Sequence, residues 1–157
     1  MSRHHRRRVA LIGCAAAPIV ASALTVPITR GAPPQARTAT TLRVADTAHL
    51  HRVRCSCNDV REEGEAKGSL PGKVSAYVNV GAPIIFRFTI TLHGGSLSGE
   101  GSGKPKGNPA EPSFAGNMTV TRGTGRYRHA HGTGGFYGTI NRRTYAAVMQ
   151  TTGTLSY

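Results

Sequence analysis

From residue 70 to the C-terminus, apolar and polar side chains alternate with a period of two. In residues 73–80, Val74, Ala76, Val78 and Val80 alternate with Ser75, Tyr77 and Asn79. Residues 84–93 give the clearest case, with Phe86, Phe88, Ile90 and Leu92 on one face and Arg87, Thr89, Thr91 and His93 on the other. The pattern is weaker over 96–101 and resumes over 113–122, where Phe114, Gly116, Met118 and Val120 share a face. Residues 136–140 follow, and the chain closes with Tyr145, Ala147, Met149, Gly153, Leu155 and Tyr157 on one side of residues 144–157. A period of two is what a strand with one buried face requires, because successive side chains point to opposite sides.

Punctuation supports the same reading. Gly81-Ala82-Pro83, Gly94-Gly95, Gly123-Thr124-Gly125 and Asn141-Arg142-Arg143 fall between the alternating runs as turns. Thirteen of the 20 glycines lie between Gly94 and Gly138, many inside strand-like runs, where they permit sharp coiling and close strand approach. With no amphipathic helix in sight, the prediction is an all-β domain, a small closed antiparallel barrel rather than a flat sandwich. Upstream, residues 42–44 and 50–53 read as short strands. Residues 58–68, holding Asp59, Glu62, Glu63 and Glu65, read as a solvated loop or at most a helical turn. If residues 126–132 are extended, Tyr127, His129 and His131 share one face.

The N-terminus has a different pattern. Arg3, Arg6, Arg7 and Arg8 precede an apolar run over residues 9–28, with a small-x-small site at Ala21-Ser22-Ala23. This is the plan of a secretory signal, giving a signal segment over 1–23, a linker over 24–41 and a barrel over 42–157. An uncleaved anchor, a lipobox ending at Cys14 and a twin-arginine route through Arg7-Arg8 are variants of it; each leaves the C-terminal part outside the cytoplasm. Cleavage near Ala23 lowers the formal net charge from +13 to +9 and leaves Cys55 and Cys57 as the remaining cysteines. In an oxidising compartment that pair is a candidate disulfide, against spare thiols. The sequence places membrane contact in the signal segment alone and leaves oligomeric state open.

Gly123-Thr124-Gly125-Arg126-Tyr127, continued by Ala130 and Gly132-Thr133-Gly134, resembles a recurring signature. Together with the entering strand over 114–120 and the closing Gly153-Thr154-Leu155-Ser156-Tyr157, it is similar to small exported bacterial proteins of the allene oxide cyclase-like group, related to dirigent proteins. The resemblance covers residues 70–157. It implies an eight-stranded calycin-like barrel whose interior holds an apolar small molecule, and an isomerase or cyclase activity that needs no cofactor. The polar pocket residues of a cyclase and the acid pair of dirigent proteins have no match here, and Arg128, His129 and His131 stand where the group has small residues.

Candidate chemistry is sparse. Glu100, Tyr127 and His129 are the catalytic candidates, since general acid–base work needs a group titrating near working pH, and Glu100 and Glu111 are the acids after residue 66. His93, Tyr127, His129 and His131 are the ligand-binding candidates. His129-Ala130-His131 has the spacing of a two-imidazole chelate but no following acid, so no metal is assigned and an exposed polar face is the plainer reading. Arg122, Arg126, Arg128, Arg142 and Arg143 surround two consecutive turns and suit an anionic envelope polymer or lipid headgroups. Specific nucleic-acid readout is not expected, because Tyr127 alone among aromatics is interleaved with that basic run.

Overall fold

The computed structural model describes residues 39–107 and 112–157. Eight strands run in chain order around a closed antiparallel barrel. They are β1 (Thr41–Ser56), β2 (Asp59–Gly68), β3 (Gly72–Asn79), β4 (Ile84–Leu92), β5 (Gly95–Lys106), β6 (Ser113–Gly123), β7 (His131–Ile140) and β8 (Ala147–Ser156). Each strand pairs with the next, and β1 closes on β8 through a register from Thr41 opposite Ser156 to Leu50 opposite Ala147. Closure removes every free sheet edge. The signal segment with its variants, the linker up to residue 38, and Glu111 lie outside the described residues.

The alternation after residue 70 maps onto the barrel, except that Val80 and Tyr145, which the pattern put on apolar faces, are exposed in the connections because β3 ends at Asn79 and β8 starts at Ala147. Val74, Ala76, Phe86, Phe88, Phe136 and Met149 point inward and are buried. All four phenylalanines lie in the lumen or its wall, with Phe86 edge-on to Phe136 at a centroid distance of 5.0 Å and Phe114 6.0 Å from Phe136. Glycine makes room for them. Phe86 is the register partner of Gly101 and Phe88 of Gly99, and a Cβ at either glycine would run into the facing ring.

Three expectations are corrected. The two short strands before residue 54 are one long strand, β1, because β8 and β2 pair along its two edges. The acid-rich segment is β2, not a loop: Val60, Gly64 and Ala66 alternate inward with Glu62, while Asp59, Arg61, Glu63 and Glu65 take the outer positions. Acids concealed the period, since here a carboxylate occupies one inward position. Residues 126–132 are not one extended run. Gly125–Tyr127 forms a 3-10 turn, β7 starts at His131, and the shared face of Tyr127, His129 and His131 does not exist.

The two ends of the barrel differ. At one end, 69–71, 93–94 and 124–130 connect strands, and Leu70, Leu92, Leu97, Tyr127, Ala130 and Leu155 form a buried plug. The signature turn builds this plug. Arg126 N donates to Gly94 O at 2.9 Å, Thr124 N donates to Ser96 O at 2.9 Å, and Tyr127 stacks 5.0 Å from Tyr157. Gly125, at φ 58, lets the turn lie directly on the backbone of Gly94. The other end carries the connections 57–58, 80–83 and 141–146, and among the described residues it has no such plug.

Candidate functional site

The open half of the barrel holds a cavity of 410 Å³. Its walls are Leu50, Val78, Ile84, Phe86, Ile140 and Met149, and its mouth carries Arg52, Glu62, Arg142 and Tyr145. A separate void of 50 Å³ lies toward the plugged end. Phe86 lines the larger space and Phe88 the smaller, so this aromatic pair on β4, 6.1 Å apart, divides the lumen. An eight-stranded barrel has just enough interior for its side chains or one small ligand, and this one divides its length between those uses. The larger space falls in the size range of small-molecule sites, which are mostly apolar with a few placed polar groups.

Glu62 is the one carboxylate among the residues lining this cavity. It sits on the inward face of β2, opposite Ala76 on β3 and Arg52 on β1. Burial raises its pKa above the ordinary glutamate value, and the nearby His51 pulls it partly back. Arg52 does not neutralise it. The guanidinium lies 3.5 Å from the centroid of the Tyr145 ring, and among the described residues the ion pair formed is Arg61–Glu63, at 2.6 Å, on the outer wall. Tyr145 reaches Arg52 from a loop where its own φ is 57, with Asn141 Oδ1 accepting from the Arg143 and Thr144 backbone amides to shape that loop.

Both cysteines line the same mouth. A bulge at Val53 shifts the β1–β2 register from Arg52 opposite Glu62 to Arg54 opposite Arg61, which turns Cys55 toward the cavity. Cys57 follows in a two-residue turn at φ 52. The two are unbonded and exposed, as spare thiols rather than the candidate disulfide, and Cys57 lies outside the strand that would have held both sulfurs on one face.

The catalytic and ligand-binding candidates singled out from sequence lie elsewhere, while Arg142 of the arginine cluster is at the mouth. Tyr127 is buried in the plug at the opposite end, and His93, His129 and His131 are exposed around it. His129 Nε2 accepts from Arg128 Nε at 3.0 Å, and His131 Nδ1 lies 3.2 Å from His129 O. Among the described residues no three His, Cys, Asp or Glu side chains come together as a metal site. Glu100 is exposed on the outer wall of β5, in register with Arg87. The five-arginine cluster is divided: Arg122, Arg126 and Arg128 sit at the plugged end, Arg142 and Arg143 at the open end. The physical reason is the up-and-down topology, in which consecutive hairpin turns fall at opposite ends of the barrel.

Glu62 was absent from the sequence-derived candidates because residues 58–68 were read as a solvated loop, and Arg52, in a segment read as a short strand, then had no facing carboxylate to mark it. The available signal was Val60, Gly64 and Ala66 alternating around Glu62. No family model, curated protein or solved structure matches the chain.

Proposed function

We propose that the open half of the barrel binds an apolar small molecule and that Glu62 equips the site for isomerisation or cyclisation without a cofactor. The observation carrying this reading is a 410 Å³ apolar cavity that contains one carboxyl with a raised pKa. A carboxyl whose protonated form is favoured by such a space can give a proton to an oxygen or carbon of the guest and take one back from another position. That exchange conserves atoms and needs no second substrate. Perturbed carboxyls in clefts are the usual acid–base groups of such chemistry. The resemblance of residues 70–157 to allene oxide cyclase-like barrels supports the same reading, and the N-terminal pattern supports an extracytoplasmic setting. The alternative of a basic module held on an anionic polymer draws less support, since its five arginines divide between two ends.

The test pairs binding with turnover. Titration with N-phenyl-1-naphthylamine should saturate at one probe per barrel, and Val78→Trp, which fills the cavity from β3, should abolish it. Glu62→Gln should keep the binding and lose the conversion of unsaturated epoxide or enone probes. Equal binding by Val78→Trp would defeat the cavity assignment, while unchanged conversion by Glu62→Gln would defeat the acid–base role alone.

A further inference from the structure

Every large hydrophobic side chain that is exposed among the described residues lies toward the open end. Val53, Tyr77, Val80, Ile85, Tyr137 and Tyr145 are each 45–56% exposed. Val53 is the bulge of β1, Val80 and Tyr145 belong to connections at the mouth, and Ile85 follows the first residue of β4. Tyr77 and Tyr137 point outward two and three residues before the ends of β3 and β7. At about 3.3 Å per residue, all six stay within roughly 10 Å of the rim. None surrounds the plugged end.

Charge alone does not distinguish the ends. Arg43, Lys67, Lys73, Arg122, Arg126 and Arg128 are exposed toward the plugged one, and Arg54, Lys104, Lys106, Arg142 and Arg143 toward the open one. Only the open end combines cations with a ring of apolar and tyrosine side chains. On the outer wall Tyr77 lies in register between Arg61 and Arg87, with the Arg61 guanidinium 5.4 Å from its ring centroid. An aromatic body flanked by long cationic side chains is suited to the headgroup layer, where one end of a residue is apolar and the other wet. A polar polymer would reward the cations and leave the exposed aliphatics uncovered.

We infer that this collar docks the open end of the barrel onto an anionic lipid bilayer, with Tyr77, Ile85 and Tyr137 in the headgroup layer and Arg54, Lys104 and Arg143 on lipid phosphates. The cavity mouth then faces the membrane, a place from which an apolar guest can enter without crossing water. The docking rests on the outer wall and holds whether or not the cavity is filled.

Hydrogen–deuterium exchange of the full chain, on phosphatidylcholine vesicles with and without phosphatidylglycerol, tests it. The apolar segment over residues 9–28 is present in every variant, so differences between variants belong to the barrel. Anionic vesicles should protect 80–83 and 141–146 but not 93–94 and 124–130. Arg54→Gln/Lys104→Gln/Arg143→Gln should weaken that protection roughly hundredfold in lipid concentration, at about fivefold per cation. Tyr77→Ser/Ile85→Ser/Tyr137→Ser should weaken it at least about tenfold, and Arg122→Gln/Arg128→Gln should leave it unchanged. Probe binding in the cavity, measured on the same variants, should persist and shows that they fold. Protection at the plugged end, indifference to phosphatidylglycerol, or an unchanged Tyr77/Ile85/Tyr137 variant would each overturn the proposal. So would dextran sulfate giving the same protection as vesicles, which would mark the surface as a polymer site.

Discussion

Arg52 and Glu62 are register partners on the inward faces of β1 and β2, yet the guanidinium is stacked on Tyr145, 3.5 Å from the ring centroid. A cation beside a buried carboxyl ordinarily lowers its pKa. Here the tyrosine engages the cation, and burial governs the carboxyl.

Tyr145→Ala should therefore release Arg52 toward Glu62 and lower the glutamate pKa. A carbon-13 titration of the Glu62 carboxyl reads it directly. An unchanged or higher pKa would mean that Tyr145 has no part in holding the guanidinium away.

The raised pKa also sets the sign of a pH dependence. Folding favours the protonated form of Glu62, so its favourable contribution is complete below the ordinary value of 4.5 and is lost as pH rises through the higher folded value. Glu62→Gln should flatten that decline and leave the barrel more stable than wild type at neutral pH. Urea unfolding across pH 4 to 8 on both proteins measures the difference in slope.

At mid-barrel, a Cβ on Gly101 would meet the Phe86 ring and also Asn117 O at 2.9 Å, so no side-chain rotation clears it. Gly101→Val should cost about 2 kcal/mol by overpacking, visible as a lower urea midpoint at unchanged slope.

The plug should be separable from the cavity. Leu155 is 1% exposed between Leu97 and Tyr127 in the closed end. Leu155→Ala should cost about 3 kcal/mol while leaving probe affinity in the open half within twofold of wild type, or about 0.4 kcal/mol. A parallel loss of affinity would show that the two halves are one cooperative core.

The barrel was legible where both inward and outward positions obey type, as in β4, with Phe86, Phe88, Ile90 and Leu92 against Arg87, Thr89 and Thr91. It was illegible in β2, where Glu62 takes an inward place and Gly64 another, so the one strand carrying the candidate chemistry looked like a loop. Gly123-Thr124-Gly125 was correctly marked as a turn, but the turn continues through Arg126 and Tyr127, which read as the start of a strand. Its neighbouring histidines were the chemical lead because local sequence cannot say at which end of the barrel a turn falls. That is set by counting hairpins, and the count required β2. The placement of Arg142 and Arg143 opposite Arg122, Arg126 and Arg128 follows from the same count.

Methyl-resolved NMR of the chain during titration with N-phenyl-1-naphthylamine asks most directly where a guest goes. Shifts confined to Leu50, Val78, Ile84, Ile140 and Met149, with Leu70, Leu92, Leu97 and Leu155 unmoved, are the predicted result. Shifts centred on the Leu97 and Leu155 methyls, or spread over the outer wall without saturation, would contradict a ligand site in the open half.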